Sequence, residues 1–218
     1  MTSGPNIAGF ILELSVWAVP TLFAIVLHEV MHGYVAHMLG DDTAARAGRL
    51  TLNPISHVDP LGTIFLPALL LFLRLPVFGY AKPVPVDFRR LSPRRAGMIA
   101  VAAAGPLTNL ALAALSAAAI RMAAPYAEAT GSAGLAVGVV YMLRVSVLIN
   151  VLLAVFNLLP LLPLDGGRVV AGLLPVRAAR AFARLEPYGF LILFALLYTN
   201  AVDAVIDPVV RAITRMLL

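Results

Sequence analysis

The sequence predicts an all-α integral-membrane protein. We expect a polytopic bundle of about four spanning helices, with a shorter apolar segment and a small membrane-associated β element. Composition and hydropathy carry this prediction: of 218 residues, 61% are hydrophobic and 12% are charged, and the mean hydropathy is +0.94. A soluble domain has about 45–50% apolar and about 25% charged residues, so most of this surface is expected to face lipid.

Four apolar stretches are long enough to cross a bilayer, which takes about 20 helical residues. They cover approximately residues 7–39, 96–123, 135–159 and 188–206. A fifth apolar stretch, residues 61–75, is shorter and contains Pro67. The sequence leaves open whether this stretch is a short span, a re-entrant element or a helix buried against the others. We expect residues 1–218 to form a single integral-membrane domain.

Basic residues concentrate in two connections, residues 74–95 and 167–187. The positive-inside rule places both in the cytoplasm and the connection 124–134, which has no Lys or Arg, outside. The net charge of +5 is therefore attributed to membrane orientation, and no nucleic-acid motif is present. The chain has no cysteine, which excludes thiolate ligands, disulfides and a cysteine nucleophile.

Two short segments, residues 49–52 and 84–86, have the composition of strands. Non-helical backbone at membrane depth is tolerated only where protein or a water-filled cavity satisfies it. The prediction is therefore a small β element beside a polar site, with a free edge.

The principal chemical motif is His28-Glu29-Val30-Met31-His32, an H-E-x-x-H sequence within the first apolar stretch. Residues four apart lie on one face of a helix, so both imidazoles can reach one cation. The carboxylate at the second position is placed to activate a water on that metal. Ionisable groups within an apolar helix are costly, which favours a metal site over a polar helix end.

A catalytic zinc site usually has three protein ligands and an open position, so another residue must complete the set. Asp165 is the best candidate, because it follows Pro160 and Pro163 at a break in the apolar run and precedes two glycines. A turn or a helix N-cap is the alternative role for this aspartate. His57, in a loop, and His37, which rotates off the shared helix face, are weaker candidates.

Three motifs together resemble the site-2 proteases, a family that performs intramembrane proteolysis. They are the H-E-x-x-H sequence at 28–32, the N-x-x-P-x-x-P-L-D-G-G run at 157–167 and the Ala-Gly-Pro-Leu-Thr-Asn sequence at 104–109. Their order and spacing cover most of the chain. The segment 49–62 is similar to a compact bacterial branch of this family, and no PDZ or CBS module is recognised.

The resemblance implies one zinc ion per chain, held by His28, His32 and Asp165, with Glu29 as general base and acid. It implies that Asn157 hydrogen-bonds the substrate carbonyl or the developing oxyanion. Asn109 either holds an extended substrate or packs in the core, while roles for Asn53 and His57 stay open. The loop 46–53 resembles the family's re-entrant β element, which pairs with an unwound substrate.

The expected function is zinc-dependent hydrolysis of peptide bonds in or near transmembrane segments, by a multi-pass protein of a bacterial inner membrane. Expected partners are a transmembrane protein or peptide substrate and the lipid bilayer, with no nucleic acid. The sequence gives no indication of oligomeric state. The alternatives are a membrane metal-ion transporter, disfavoured because no inverted repeat is found, and a non-catalytic binder, disfavoured because ligands and base are all present.

Overall fold

The structure is a computed structural model that describes residues 7–75, 79–130 and 135–218, and helices dominate it. Helix α1 (Ile7–Met38) continues through Pro20 and is followed by the single turn α2 (Thr43–Arg46). A 3-10 turn (Pro54–His57) and a π-helical turn (Pro60–Phe65) lead into α3 (Leu66–Phe72). The later elements are α4 (Arg94–Thr130), α5 (Leu135–Asn157), α6 (Asp165–Leu173), α7 (Val176–Ala183), a 3-10 turn (Glu186–Tyr188), α8 (Gly189–Tyr198) and α9 (Ala201–Leu217).

Four stretches of the described chain are long and apolar enough to cross a membrane, which confirms the predicted number. They are Ser15–Met38, Arg94–Pro125, Ala136–Asn157 and Val176–Tyr198. The bounds predicted for the fourth span, 188–206, are wrong because a turn interrupts them. Asn200 adopts the left-handed conformation (φ 56°) between α8 and α9, a conformation that asparagine tolerates better than most residues.

The fifth apolar stretch forms a short helical segment, Pro60–Phe72. At about 1.5 Å per residue it reaches about 20 Å, less than the hydrocarbon thickness of about 30 Å. Its side chains lie mostly on the surface, with Phe72 84% exposed and Leu70 buried. The alternative of a helix buried against the bundle is therefore wrong, and a re-entrant placement stays a prediction.

The predicted β element is wrong, because the described residues contain no strand. Arg49 of the first segment contacts the chain just before the second, where its guanidinium donates to the Lys82 carbonyl at 2.7 Å. Pro83 and Pro85 have no N–H to donate to a strand ladder. The intervening N–H of Val84 donates to a side chain on α1 instead.

Helices α4 and α5 form the central pair, and α1 packs against both. Helix α6 packs on α4, and α9 packs on α5. Small residues such as Ala113 and Ala117 are fully buried in this core and let the helix backbones approach closely, as is common between membrane helices. The chemical motifs consequently converge between α1, α4, α5 and α6.

Candidate metal centre

Helix α1 places the two histidines of the H-E-x-x-H motif side by side. His28 and His32 are buried, and their Nε2 atoms lie 3.0 Å apart. The rings meet edge to face with centroids 4.7 Å apart. The predicted spacing of four residues thus brings both Nε2 atoms to one point on the helix surface, as expected for two ligands of a single cation.

Helix α6 brings Asp165 to the same point. Its Oδ2 lies 3.1 Å from Nε2 of His28 and 3.3 Å from Nε2 of His32. The helix begins at Asp165 and packs closely on the turn that precedes it. A Cβ at Gly166 or Gly167 would collide with the backbone between Leu158 and Leu162, so only glycine permits this approach. The sequence-predicted third ligand is therefore beside the histidine pair.

A cavity of about 590 Å³ adjoins these three ligand atoms. It is lined by residues of α1, the irregular segment 79–88, α4, α5, α6 and α8. Glu29 is on its wall, where its Oε2 accepts a hydrogen bond of 2.9 Å from the Val84 N–H. Among the described residues, the clustered ligand atoms belong to His28, His32 and Asp165, so Glu29 lies beside the cluster rather than completing it.

Comparison with known proteins identifies the family. The chain is 37% identical over 203 residues to "Putative zinc metalloprotease YwhC" of Bacillus subtilis. The matched region covers 92% of this chain and 89% of that protein. The chain belongs to peptidase family M50. The family model, described as Peptidase family M50, matches residues 118–199. As an M50 protein of the site-2 protease group, the chain is a zinc-dependent metalloprotease and a multi-pass membrane protein.

Two mycobacterial relatives extend the M50 comparison. "Putative zinc metalloprotease Rip2" of Mycolicibacterium smegmatis is 32% identical over 197 residues, which cover 89% of this chain and 69% of that protein. Rip2 of Mycobacterium tuberculosis strain H37Rv is 31% identical over 188 residues, covering 86% and 66%. No solved structure matches the chain significantly.

The donor set fits the zinc ion that an M50 protease uses. Two tetrahedral ligands about 2.0–2.1 Å from zinc lie about 3.3 Å apart, and the three separations here are 3.0, 3.1 and 3.3 Å. Asp165 Oδ2 is buried and has no hydrogen-bond donor. Two facing imidazole nitrogens and an unpartnered carboxylate oxygen are stabilised together by a cation at their centre.

The remaining ring nitrogens of the M50 histidines are also engaged. Nδ1 of His28 lies 2.6 Å from Oδ1 of Asn109, and Nδ1 of His32 lies 2.7 Å from the Val101 carbonyl. Both acceptors require a proton on Nδ1, which leaves the Nε2 lone pair for the metal. Asn109 is fully buried and is not among the residues that line the cavity, which favours the core-packing alternative that the sequence left open.

Sequence reasoning missed Asn150, which lies on α5 and hydrogen-bonds Asn109. An asparagine in the interior of a spanning helix is a usable signal, because polar groups at membrane depth usually have a role. The backbone groups of Val84 and Val101 contact the motif residues with no signal in the sequence, since any residue supplies an N–H and a carbonyl.

Asn157 lies on the cavity wall at the end of α5, consistent with access to substrate. Its Nδ2 donates to the Leu153 carbonyl one turn earlier at 3.0 Å. Arg168 is also on the wall, with its guanidinium 5.1 Å from the centre of the Phe88 ring. These two residues place hydrogen-bond donors in an otherwise largely apolar cavity.

The two weaker histidine candidates lie outside the cluster. His37 pairs with Asp42 at 2.8 Å, and both side chains are half-exposed. His57 is buried and its Nε2 lies 2.9 Å from the Thr51 carbonyl. Asn53 caps the 3-10 turn by accepting from the Ile55 N–H at 3.1 Å. These contacts give the 42–57 region structural roles within the described part of the chain.

Proposed function

We propose that this metalloprotease is an intramembrane endopeptidase that cleaves peptide bonds in or near transmembrane segments of membrane proteins, in a bacterial inner membrane. The observation that carries the proposal is the position of the H-E-x-x-H motif. His28, Glu29 and His32 lie inside Ser15–Met38, a stretch apolar and long enough to cross a bilayer. A catalytic motif within a spanning helix acts on substrates that enter the membrane.

In this proposal His28, His32 and Asp165 hold one zinc ion per chain. When bound, zinc would act as a Lewis acid that lowers the pKa of its water to about 7 and polarises the scissile carbonyl. The cavity of about 590 Å³ beside the three ligand atoms has room for an extended stretch of peptide. Apolar side chains of α1, α4, α5 and α8 line much of it, and electrostatic interactions are stronger in such surroundings than in water.

Glu29 acts as the general base that takes a proton from the attacking water, and then as the acid that returns it to the leaving amine. The Val84 N–H holds its Oε2, which leaves the other carboxylate oxygen for the water. Asn157, on the cavity wall, donates its amide to the substrate carbonyl as negative charge develops there. Nδ2 carries two protons, so it can keep its hydrogen bond to the Leu153 carbonyl and offer the second proton to the substrate.

The substrate must unwind before cleavage, because the carbonyls of a transmembrane helix are engaged in its own hydrogen bonds. The described residues offer no strand edge to replace those bonds. The irregular segment 79–88 lines the cavity instead, and its Pro83 and Pro85 have no N–H to pair with a strand of this protein. We infer that the unwound peptide lies along this wall.

The test is cleavage of a transmembrane peptide in vesicles by purified protein at matched zinc occupancy. Glu29→Gln should bind zinc like the parent and cleave about 10²-fold or more slowly, since a carboxamide cannot act as a base. Asp203→Asn is the control, because it removes an exposed carboxylate of α9 away from the cavity.

The membrane part of the proposal has its own readout. The same scissile sequence, flanked by lysines and kept in solution, should be cleaved much more slowly than in the vesicle. Mass spectrometry should place the cut within or beside the apolar segment. Equal cleavage of both forms would contradict intramembrane action while leaving the metalloprotease assignment intact.

A further inference from the structure

A chain of buried polar groups runs from the metal centre into α5. His28 Nδ1 meets Asn109 Oδ1 at 2.6 Å, and Asn109 Nδ2 meets Asn150 Oδ1 at 2.8 Å. Asn150 Nδ2 then reaches the carbonyl of Ser146 at 2.9 Å. Asn109 and Asn150 are 0% and 2% exposed, so both amides are shielded from bulk solvent. This series of hydrogen bonds therefore connects α1, α4 and α5.

Two backbone carbonyls fix the direction of this chain, because a carbonyl can only accept a hydrogen bond. The Ser146 carbonyl requires the NH₂ of Asn150 and so turns Oδ1 of Asn150 toward Asn109. That oxygen and the Ala24 carbonyl, at 3.3 Å, both require the NH₂ of Asn109. Oδ1 of Asn109 must then face His28.

We propose that Asn150 is a positioning residue that locks the Asn109 amide and thereby keeps the His28 proton on Nδ1. The consequence is a lone pair on Nε2, the atom beside Asp165 and His32. If the Asn109 amide turned over, its NH₂ would face Nδ1 and favour the other tautomer, whose Nε2 carries a proton and cannot bind a metal. This inference rests on the proposed role of His28 as a zinc ligand.

A simpler role for Asn150 is to hold α4 and α5 together. Interhelical hydrogen bonds between polar side chains do stabilise membrane helix pairs, and these two helices form the central pair of the fold. The two roles differ in what happens when the amide of Asn109 is replaced by a symmetric carboxylate. Either oxygen of an aspartate accepts from His28, so the direction of the chain no longer matters.

The experiment measures zinc affinity by chelator competition on the purified full chain in detergent. Asn109→Leu should weaken zinc binding about 10- to 100-fold, as is usual when the partner of a metal-binding histidine is lost. Asn150→Leu should weaken it about 5-fold, the equivalent of one ordinary hydrogen bond. Val151→Ala, a neighbouring core residue outside the polar chain, is the control and should keep the parental affinity.

The decisive pair of variants uses Asn109→Asp as the background. Adding Asn150→Leu to it should leave zinc affinity unchanged. In a purely structural role Asn150 would turn its NH₂ toward the aspartate and still join α4 to α5, so Asn150→Leu would weaken zinc binding in both backgrounds. Nitrogen-15 spectra of the zinc-free protein give a second readout. His28 should be protonated on Nδ1 in the parent and should populate both tautomers in Asn150→Leu.

Parental affinity and a parental spectrum in Asn150→Leu would overturn the assignment, and so would an equal loss in the Asn109→Asp background. His28→Ala separates this failure from that of the proposed function. Zinc retained in His28→Ala would remove the proposed ligand set and this inference with it. Zinc lost in His28→Ala, together with parental affinity in Asn150→Leu, would overturn the role of Asn150 alone.

Discussion

Gly105 lies on α4 directly against the metal centre, and replacing it with alanine tests the geometry of that centre. An added Cβ would lie 2.5 Å from Nε2 of His32 and 2.6 Å from Nε2 of His28. Ordinary van der Waals contact begins near 3.4 Å, so the methyl group is about 0.8–0.9 Å too close to both ligand atoms. In a helix interior, alanine is otherwise favoured over glycine by about 1 kcal/mol.

The expected effect of Gly105→Ala follows from this overlap. Inserting a methyl group into a packed site typically costs about 1–3 kcal/mol. If the imidazoles move to relieve the overlap, the same free energy is lost from zinc binding. About 1.4 kcal/mol corresponds to a tenfold change in zinc affinity. Zinc affinity should therefore fall roughly 5- to 150-fold. Chelator competition with the purified protein measures this, with thermal unfolding recorded with and without zinc.

Two glycines provide matched controls for this substitution. Gly138→Ala, on α5, meets nothing within 4 Å and should keep parental zinc affinity. Gly172→Ala, on α6, collides with the Ile99 side chain and touches no ligand. It should lower the unfolding temperature while the zinc affinity of the folded protein stays parental. Parental zinc affinity in Gly105→Ala would refute the arrangement of α4 against the two histidines.

Two further predictions concern carboxylates. Asp165→Ala should lose most of its zinc, measured by metal analysis after dialysis, because it leaves only the two histidine ligands; stoichiometric zinc in this variant would remove Asp165 from the ligand set. Asp41 is buried outside the spans. Burial raises the pKa of its carboxyl, but hydrogen bonds from Thr43 and the Asp87 N–H outweigh burial and hold the pKa below its usual value. The ionised form therefore stabilises the fold fully above the ordinary pKa of about 3.9, and this contribution is lost as the pH falls through the lowered value. The unfolding temperature of Asp41→Asn should be below that of the parent at pH 7, and the difference should shrink toward pH 3; a constant difference would contradict this account.

The sequence alone determined the features that depend on local spacing and composition. Residues four apart share a helix face, so the motif at 28–32 places both imidazoles together wherever the helix lies. Long apolar runs predict spans because about 20 apolar helical residues cross a bilayer, and the predicted number of spans is confirmed. The family resemblance, carried by three motifs, is confirmed by the relatives. The roles of Glu29 and Asn157 stay predictions that the proposed experiments address.

Tertiary structure decided the features that depend on contacts between distant segments. The hydrogen bond from His28 to Asn109 joins residues 81 positions apart, and that from Asn109 to Asn150 joins residues 41 positions apart. Local sequence gives the identity of each side chain but not the partner across a helix interface. The expected strand at 84–86 is absent from the described residues for a related reason. The Val84 N–H donates to the carboxylate of Glu29 rather than to a second strand. A backbone donor bonds with whichever acceptor the packed helices bring to it, and only the folded chain sets which one that is.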